Sequence, residues 1–275
     1  GEVCAVDQAD CDLADASAIR ELVRFCKPDL IVNPAAYTAV DKAESEPEMA
    51  RAINAVAPGV FGVEAAKLGA WVVHYSTDYV FDGAKSCTYT EEDLTDPQSV
   101  YGRTKLDGEI SLQQSGARCL IFRTSWVVGA HGGNFARTIL RLAGERKELN
   151  VVADQYGAPT SAALLADVTA QLIRQNQREG DDRFPFGLYH LAAGGETTWY
   201  EYARFVVSEA LAAGKSLKLS PDSIRAISAS EYPALAKRPA NSRLDTRKLR
   251  TTFDLKLPDW HTGVRHILQQ TLGEA

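Results

Sequence analysis

Tyr101-Gly102-Arg103-Thr104-Lys105 is the run best suited to proton chemistry. On a helix, residues four apart share a face, so the phenol of Tyr101 and the ammonium of Lys105 are neighbours. A close positive charge favours phenolate and is expected to lower the tyrosine pKa, making Tyr101 a usable acid near neutral pH. Alone the spacing is weak, since any exposed helix can carry it. It gains weight from the run Trp71–Tyr75, which reads as a strand leading into Ser76-Thr77-Asp78-Tyr79. A hydroxyl just past the carboxyl end of a parallel strand stands where open α/β sheets bind ligands. Thr77, Tyr101 and Lys105 together could protonate and hold a carbonyl oxygen while hydride is delivered to its carbon.

The surrounding pattern must position these groups. Val3–Val6 reads as a short buried strand ending at Asp7, and Ala16–Cys26 has helical apolar spacing closed by Pro28. Asp29–Asn33 carries a continuous apolar run, as for a parallel strand covered on both faces. A helical pattern runs from about Pro47 to Leu68, with Gly69 placed to end it. After Trp71–Tyr75 come a helix over about Gln98–Gln114 and a strand over Arg118–Arg123. The alternation predicts an α/β fold: a doubly wound, mostly parallel, Rossmann-like sheet. Beyond Gly129 the pattern loosens. Helices are expected over Asn134–Glu145, Ala162–Gln175, Thr198–Ala213 and Asp259–Leu272, and strands over Asn150–Ala153 and Gly187–Ala192. Residues 1–129 are expected to form a dinucleotide-binding domain. Residues 130–275 mainly form a smaller α/β substrate domain interleaved with it.

Composition narrows the partners. The 275 residues are 45% hydrophobic and carry a net charge of -6 with both signs interspersed, so no basic stripe invites nucleic acid. No run approaches the ~18 apolar residues of a membrane helix, and no signal peptide is visible. The five cysteines are scattered, with no Cys-x-x-Cys pair, which suits a reducing cytoplasm better than a disulfide framework or a zinc site. Positive charge for an anionic substrate must come from particular residues such as Arg238 and Arg243.

Several runs, in order, resemble the extended short-chain dehydrogenase/reductases, and among these the dTDP-4-dehydrorhamnose reductases. They are Val32–Glu44, His74–Asp82, Tyr101–Lys105, Phe122–Val127, Asp154–Thr160, Arg238–Leu244 and Leu257–Trp260. The resemblance covers essentially the whole chain. It implies reduction of the 4-keto group of dTDP-4-dehydro-β-L-rhamnose to dTDP-L-rhamnose with NADPH or NADH. It implies that Tyr101 protonates the carbonyl oxygen and that Lys105 holds the nicotinamide ribose and tunes Tyr101. Thr77 would hydrogen-bond the reacting oxygen, while Asp78 and Trp126 would contact the nucleotide-sugar. Ala36, Tyr37 and Thr38 would line the cofactor, and Asp12 and Leu13 would border the adenine. A homodimer is compatible with it. Some relatives hold Mg2+ with glutamates near a dimer contact; two of those places are Ala163 and Gln270 here, so the expected ligands are not apparent.

The sequence departs from the family pattern at its start. A strand followed by Gly-x-x-Gly-x-x-Gly, which would supply N–H groups for the pyrophosphate, is not found, so the chain reads as N-terminally truncated. Asp7 ends the Val3–Val6 run where a carboxylate accepts from the adenosine ribose 2′-hydroxyl and repels a 2′-phosphate, which leans toward NADH, although the family is chiefly described with NADPH. Two competing readings remain. One is another nucleotide-sugar reductase or epimerase on the same scaffold. The other is a non-catalytic regulatory subunit, against which the Thr77/Tyr101/Lys105 set argues.

Overall fold

The computed structural model describes residues 1–273. Its elements, in chain order, begin with helix α1 (Ala16–Cys26), strand β1 (Leu30–Asn33) and helix α2 (Val40–Ala43). Helix α3 (Pro47–Arg51) passes through a widened turn, Ala52–Val56, into α4 (Ala57–Leu68), so the expected long helix is continuous but locally unwound. Strand β2 (Trp71–Thr77), helix α5 (Val100–Gln114) and strand β3 (Arg118–Thr124) follow. Then come β4 (Val127–Val128), α6 (Phe135–Glu145), β5 (Leu149–Val152), β6 (Tyr156–Gly157), β7 (Thr160–Ser161) and α7 (Ala162–Glu179). The chain ends with β8 (Gly187–His190), β9 (Thr197–Thr198), α8 (Trp199–Ala212), β10 (Ile224–Ile227), α9 (Arg247–Thr252) and α10 (Trp260–Gly273).

The main sheet has the order β1-β2-β3-β8, with every pair parallel. Alternation along the central strands sends successive side chains to opposite faces. Val72 and Ile121 pack with Ala65 of α4 and Leu112 of α5 on one face. Val73, Leu120 and Phe122 pack with Leu165, Val168 and Leu172 of α7 on the other. Both faces are covered, as the apolar runs required. A second core joins α6, α8, α10 and β5 around Ile139, Val151, Val206 and Val264. Meanwhile α7 and β8, though late in sequence, return to the first sheet.

Two expectations fail on the same side of the sheet. Val3–Val6 forms no strand: Val3 is 85% exposed and Val6 46%, and Asp7 opens an exposed turn closed by Cys11 N–H donating to its carbonyl. β1 is an edge strand: Leu30 and Ile31 pack on opposite faces, but Val32 is 42% exposed. The reason is common to both. A strand is made by its neighbours' hydrogen bonds, and among the described residues none pairs with Val3–Val6 or with the open side of β1.

Helix ends follow local chemistry. Ser99 caps α5 by accepting from Gly102 N–H (3.1 Å), which starts the helix two residues later than Gln98. Gly69 ends α4 at φ 72°, a conformation that suits glycine.

Candidate active site

The β2–β3 register places the carboxyl ends of both strands side by side: Thr77 stands opposite Thr124. The chain leaves β2 through Thr77 and Asp78, and it leaves β3 toward Trp126. α5 lies alongside, fitted by two glycines. A Cβ on Gly102 would collide with the Tyr79 carbonyl, and one on Gly108 with the Asn54 carbonyl. This close approach sets the Tyr101 phenol beside the Thr77 hydroxyl, near enough for Thr77 to influence its ionisation. Thr77 Oγ1 donates to Asp78 Oδ1 (3.1 Å) and accepts from Tyr79 N–H (3.2 Å).

Lys105, one turn along α5, is only 1% exposed. Its Nζ donates to the Tyr75 carbonyl at 2.6 Å and lies 3.4 Å from His74 Nε2. The ammonium is therefore engaged by β2. Burial lowers the Lys105 pKa to about 8, against the opposing charge of Glu109. The expected depression of the Tyr101 pKa is not found. Burial pushes the phenol well up, and the nearby Thr77 hydroxyl only partly offsets it. Desolvation of a phenolate outweighs the benefit of a nearby charge that is turned toward other partners. Tyr101 is thus firmly protonated at neutral pH, which suits an acid.

Asp78 is buried, and its Oδ2 has no partner. Burial raises its pKa to about 6, offset only in part by the nearby Ser242 and Thr77 hydroxyls. Trp126 has φ 48°, the left-handed region where a side chain is strained. Its indole stacks on Trp199 with ring centroids 3.6 Å apart, and it lies against Gly157, where any Cβ would collide with it.

The other expected positions lie together elsewhere. Asp7, Asp12, Leu13, Ala36, Tyr37 and Thr38 all line one cleft of about 690 Å³ between residues 4–13 and the open side of β1. Thr77, Asp78, Tyr101, Lys105 and Trp126 are not on its wall. The two groups are joined by Asn54, which sequence reasoning missed. Asn54 Oδ1 accepts from Tyr37 N–H (2.8 Å), while Nδ2 donates to the Tyr37 carbonyl (3.1 Å) and to Thr104 Oγ1 (3.2 Å). One buried amide thus ties the Ala36–Thr38 loop to the helix bearing Tyr101 and Lys105. It sits in the widened turn Ala52–Val56, a feature frequent at functional sites. The available signal was a lone asparagine in an apolar helical run, which helix propensity disfavours.

Two other buried groups were also missed. Glu109 pairs with Arg123 (2.7 Å) and accepts from Ser76 Oγ, anchoring α5 to β2 and β3. Arg238, expected to supply positive charge, donates from Nη2 to Asp41 (2.6 Å), but its Nη1 is buried without a partner. Arg243 is committed to Asn241, Glu196 and the Ser86 carbonyl. Ala163 and Gln270 offer no carboxylate, and no group of three or more metal-ligating side chains forms among the described residues. The site does not fit magnesium. No helix among those residues is long and apolar enough to cross a membrane.

A parallel sheet covered by helices on both faces, with a threonine, a tyrosine and a lysine at its carboxyl edge, defines a Rossmann-like reductase scaffold. The sequence profile of the RmlD substrate binding domain matches residues 1–272. The dTDP-4-dehydrorhamnose reductase of Escherichia coli (strain K12) is 52% identical over 94% of this chain and 85% of its own length. The structure of a dTDP-4-dehydrorhamnose reductase ortholog from Clostridium acetobutylicum superposes with a TM-score of 0.89 at 33% identity, covering 100% of this chain and 91% of that one. That of the Bacillus anthracis dTDP-4-dehydrorhamnose reductase, in complex with NADP, gives 0.86 at 33% identity, covering 98% and 89%. The chain belongs to the dTDP-4-dehydrorhamnose reductase family.

Proposed function

We propose that this protein reduces the 4-keto group of dTDP-4-dehydro-β-L-rhamnose, giving dTDP-L-rhamnose. The observation that carries the reading is the Tyr101–Thr77 juxtaposition at the sheet's carboxyl edge, with Lys105 one turn along the same helix. A bound nicotinamide dinucleotide supplies the hydride. Tyr101 donates its phenolic proton to the carbonyl oxygen as negative charge grows there, and Thr77 holds that oxygen by a second hydrogen bond. Lys105, held by the Tyr75 carbonyl and His74 with one N–H to spare, would offer that N–H to the cofactor ribose. Ala36, Tyr37 and Thr38, pinned by Asn54, line the cofactor, and Asp12 and Leu13 border its adenine end.

On the substrate side, the stacked Trp126 covers the sugar, and the unpartnered Asp78 Oδ2 accepts from it. Arg238, with Nη1 free of partners, meets the diphosphate. Residues 130–275 supply most of this side while sending α7 and β8 back to the first sheet. For the cofactor, Asp7, Asp10 and Asp12 gather negative charge at the adenosine end and favour NADH over a 2′-phosphorylated dinucleotide.

The test is oxidation of NADH and of NADPH by the protein with the 4-keto sugar nucleotide, with the product analysed. Sugar-dependent oxidation and dTDP-L-rhamnose are expected, with higher kcat/KM for NADH. An altered sugar formed with no net dinucleotide oxidation would point to an epimerase instead.

A further inference from the structure

His74 belongs to no role described so far. It lies in the middle of β2, directly opposite Asn33 of β1, and both side chains are buried. Its ring bridges two groups: Nε2 is 3.4 Å from Lys105 Nζ, and Nδ1 is 3.3 Å from the Asn33 amide. We propose that His74 is a positioning residue for Lys105: a neutral imidazole, itself held by Asn33, that accepts a hydrogen bond from the lysine ammonium and aims it. The inference rests on the reductase reading for the importance of Lys105, but its geometry stands apart from that reading.

The proton arithmetic is restrictive. An ammonium only donates, so Nε2 must accept, and the ring proton must sit on Nδ1. Nδ1–H then needs an acceptor, which Asn33 offers when its amide is turned over to present Oδ1. The ammonium has three N–H groups. The Tyr75 carbonyl takes one and His74 a second, which leaves one for a ligand. Burial, then the charge of Lys105, keeps His74 far below its ordinary pKa, so it stays an acceptor throughout the working range.

The other ionisable groups near Lys105 are few. Glu109, one turn on, favours the ammonium but is already engaged by Arg123 and Ser76. Tyr101, one turn back, stays neutral, and Asp78 lies beyond the end of β2. His74 is therefore the contact most able to hold the buried ammonium beside the Tyr75 carbonyl.

Two measurements test this without cofactor or turnover. The first is the histidine tautomer in the unaltered protein, read from 15N shifts at pH 7. The Nδ1–H form of His74 is expected, and an Nε2–H form overturns the proposal. The second is the titration of Lys105, followed through its Cε resonance in 13C-lysine-labelled protein. His74→Leu removes the acceptor and should lower the midpoint by about one unit, while His74→Gln, whose amide oxygen can accept, should restore most of it. A midpoint unmoved by His74→Leu overturns the proposal as well. If the leucine variant fails to fold, the tautomer measurement still decides. Failure of hydride transfer in the assay above would sink the reductase reading and leave both of these measurements unaffected.

Discussion

Two walls of this molecule carry similar apolar sequence and have opposite fates. Trp71–Thr77 is paired on both sides, buried on both faces and cross-linked by Lys105, His74 and the Ser76–Glu109–Arg123 cluster. Val3–Val6, just as apolar, lies unpaired and exposed along the rim of the 690 Å³ cleft. A strand's stability resides in its ladder and its covered faces, and apolar composition alone provides neither. The consequence for the site is uneven. Groups at the β2–α5 junction are held rigidly before any ligand arrives. Those at residues 7–12 of the cleft wall are held by local turns, such as Ala9 N–H donating to Asp7 Oδ1 (2.7 Å), while Tyr37 on the same wall is pinned by Asn54.

The sharpest contrast would come from chemistry. Tyr101→Phe removes the proton donor from the rigid wall, and turnover should fall about 10²–10⁴-fold with dinucleotide binding little changed. Asp7→Asn, on the loose wall, should leave NADH turnover within a few-fold and mainly raise activity with NADPH. Steady-state kinetics on both variants checks this, and unchanged turnover in Tyr101→Phe would remove it as the acid.

The next effect is on stability. Gly108→Ala forces a methyl into the Asn54 carbonyl, where backbone meets backbone and neither side can yield cheaply. A loss of about 1–3 kcal/mol is expected from denaturant unfolding. Gly116→Ala has open space around it but a left-handed φ of 82°, so its smaller cost should come from the backbone alone.

Asp78 gives a test of opposite sign. Its carboxyl is raised to about 6 in the folded protein, above its unfolded value, so the folded state binds the proton more tightly. The Asp78 contribution to stability should therefore decline as pH rises from about 4 to about 6 and then level off, against the opposite contribution of the buried His74 and His190, whose pKa values are lowered. Asp78→Asn should abolish that decline and stabilise the protein at pH 7 by on the order of 2 kcal/mol, while weakening sugar-nucleotide binding. Thermal unfolding across pH reads the first effect and calorimetric titration with dTDP-rhamnose the second. A stability difference between the two proteins that stays constant across pH would contradict the burial argument.

The smallest effect completes the comparison. Val3→Ala should change stability by no more than about 0.5 kcal/mol, because Val3 touches little. Val73→Ala, in the sheet core, should cost about 2 kcal/mol or more. Equal costs would mean that the two walls are packed alike.

Local sequence determined a good deal by itself. Helix α1 falls on Ala16–Cys26 as its apolar spacing requires, and β1–β3, the run from α3 through α4, and α5–α8 lie within a few residues of their expected bounds. Periodicity and capping are short-range properties that a window of residues contains in full. The Tyr101/Lys105 spacing and the Thr77 turn were legible for the same reason. Only the tertiary structure decided what these groups contact. It buried the Tyr101 phenol, which raised rather than lowered its pKa, and turned the Lys105 ammonium toward β2. It placed Asn54 between the Ala36–Thr38 loop and helix α5, far apart in sequence, and stacked Trp126 on Trp199. It also left Val3–Val6 without a ladder. Hydrogen-bond partners, desolvation and strand pairing depend on residues distant along the chain, and no local pattern carries them.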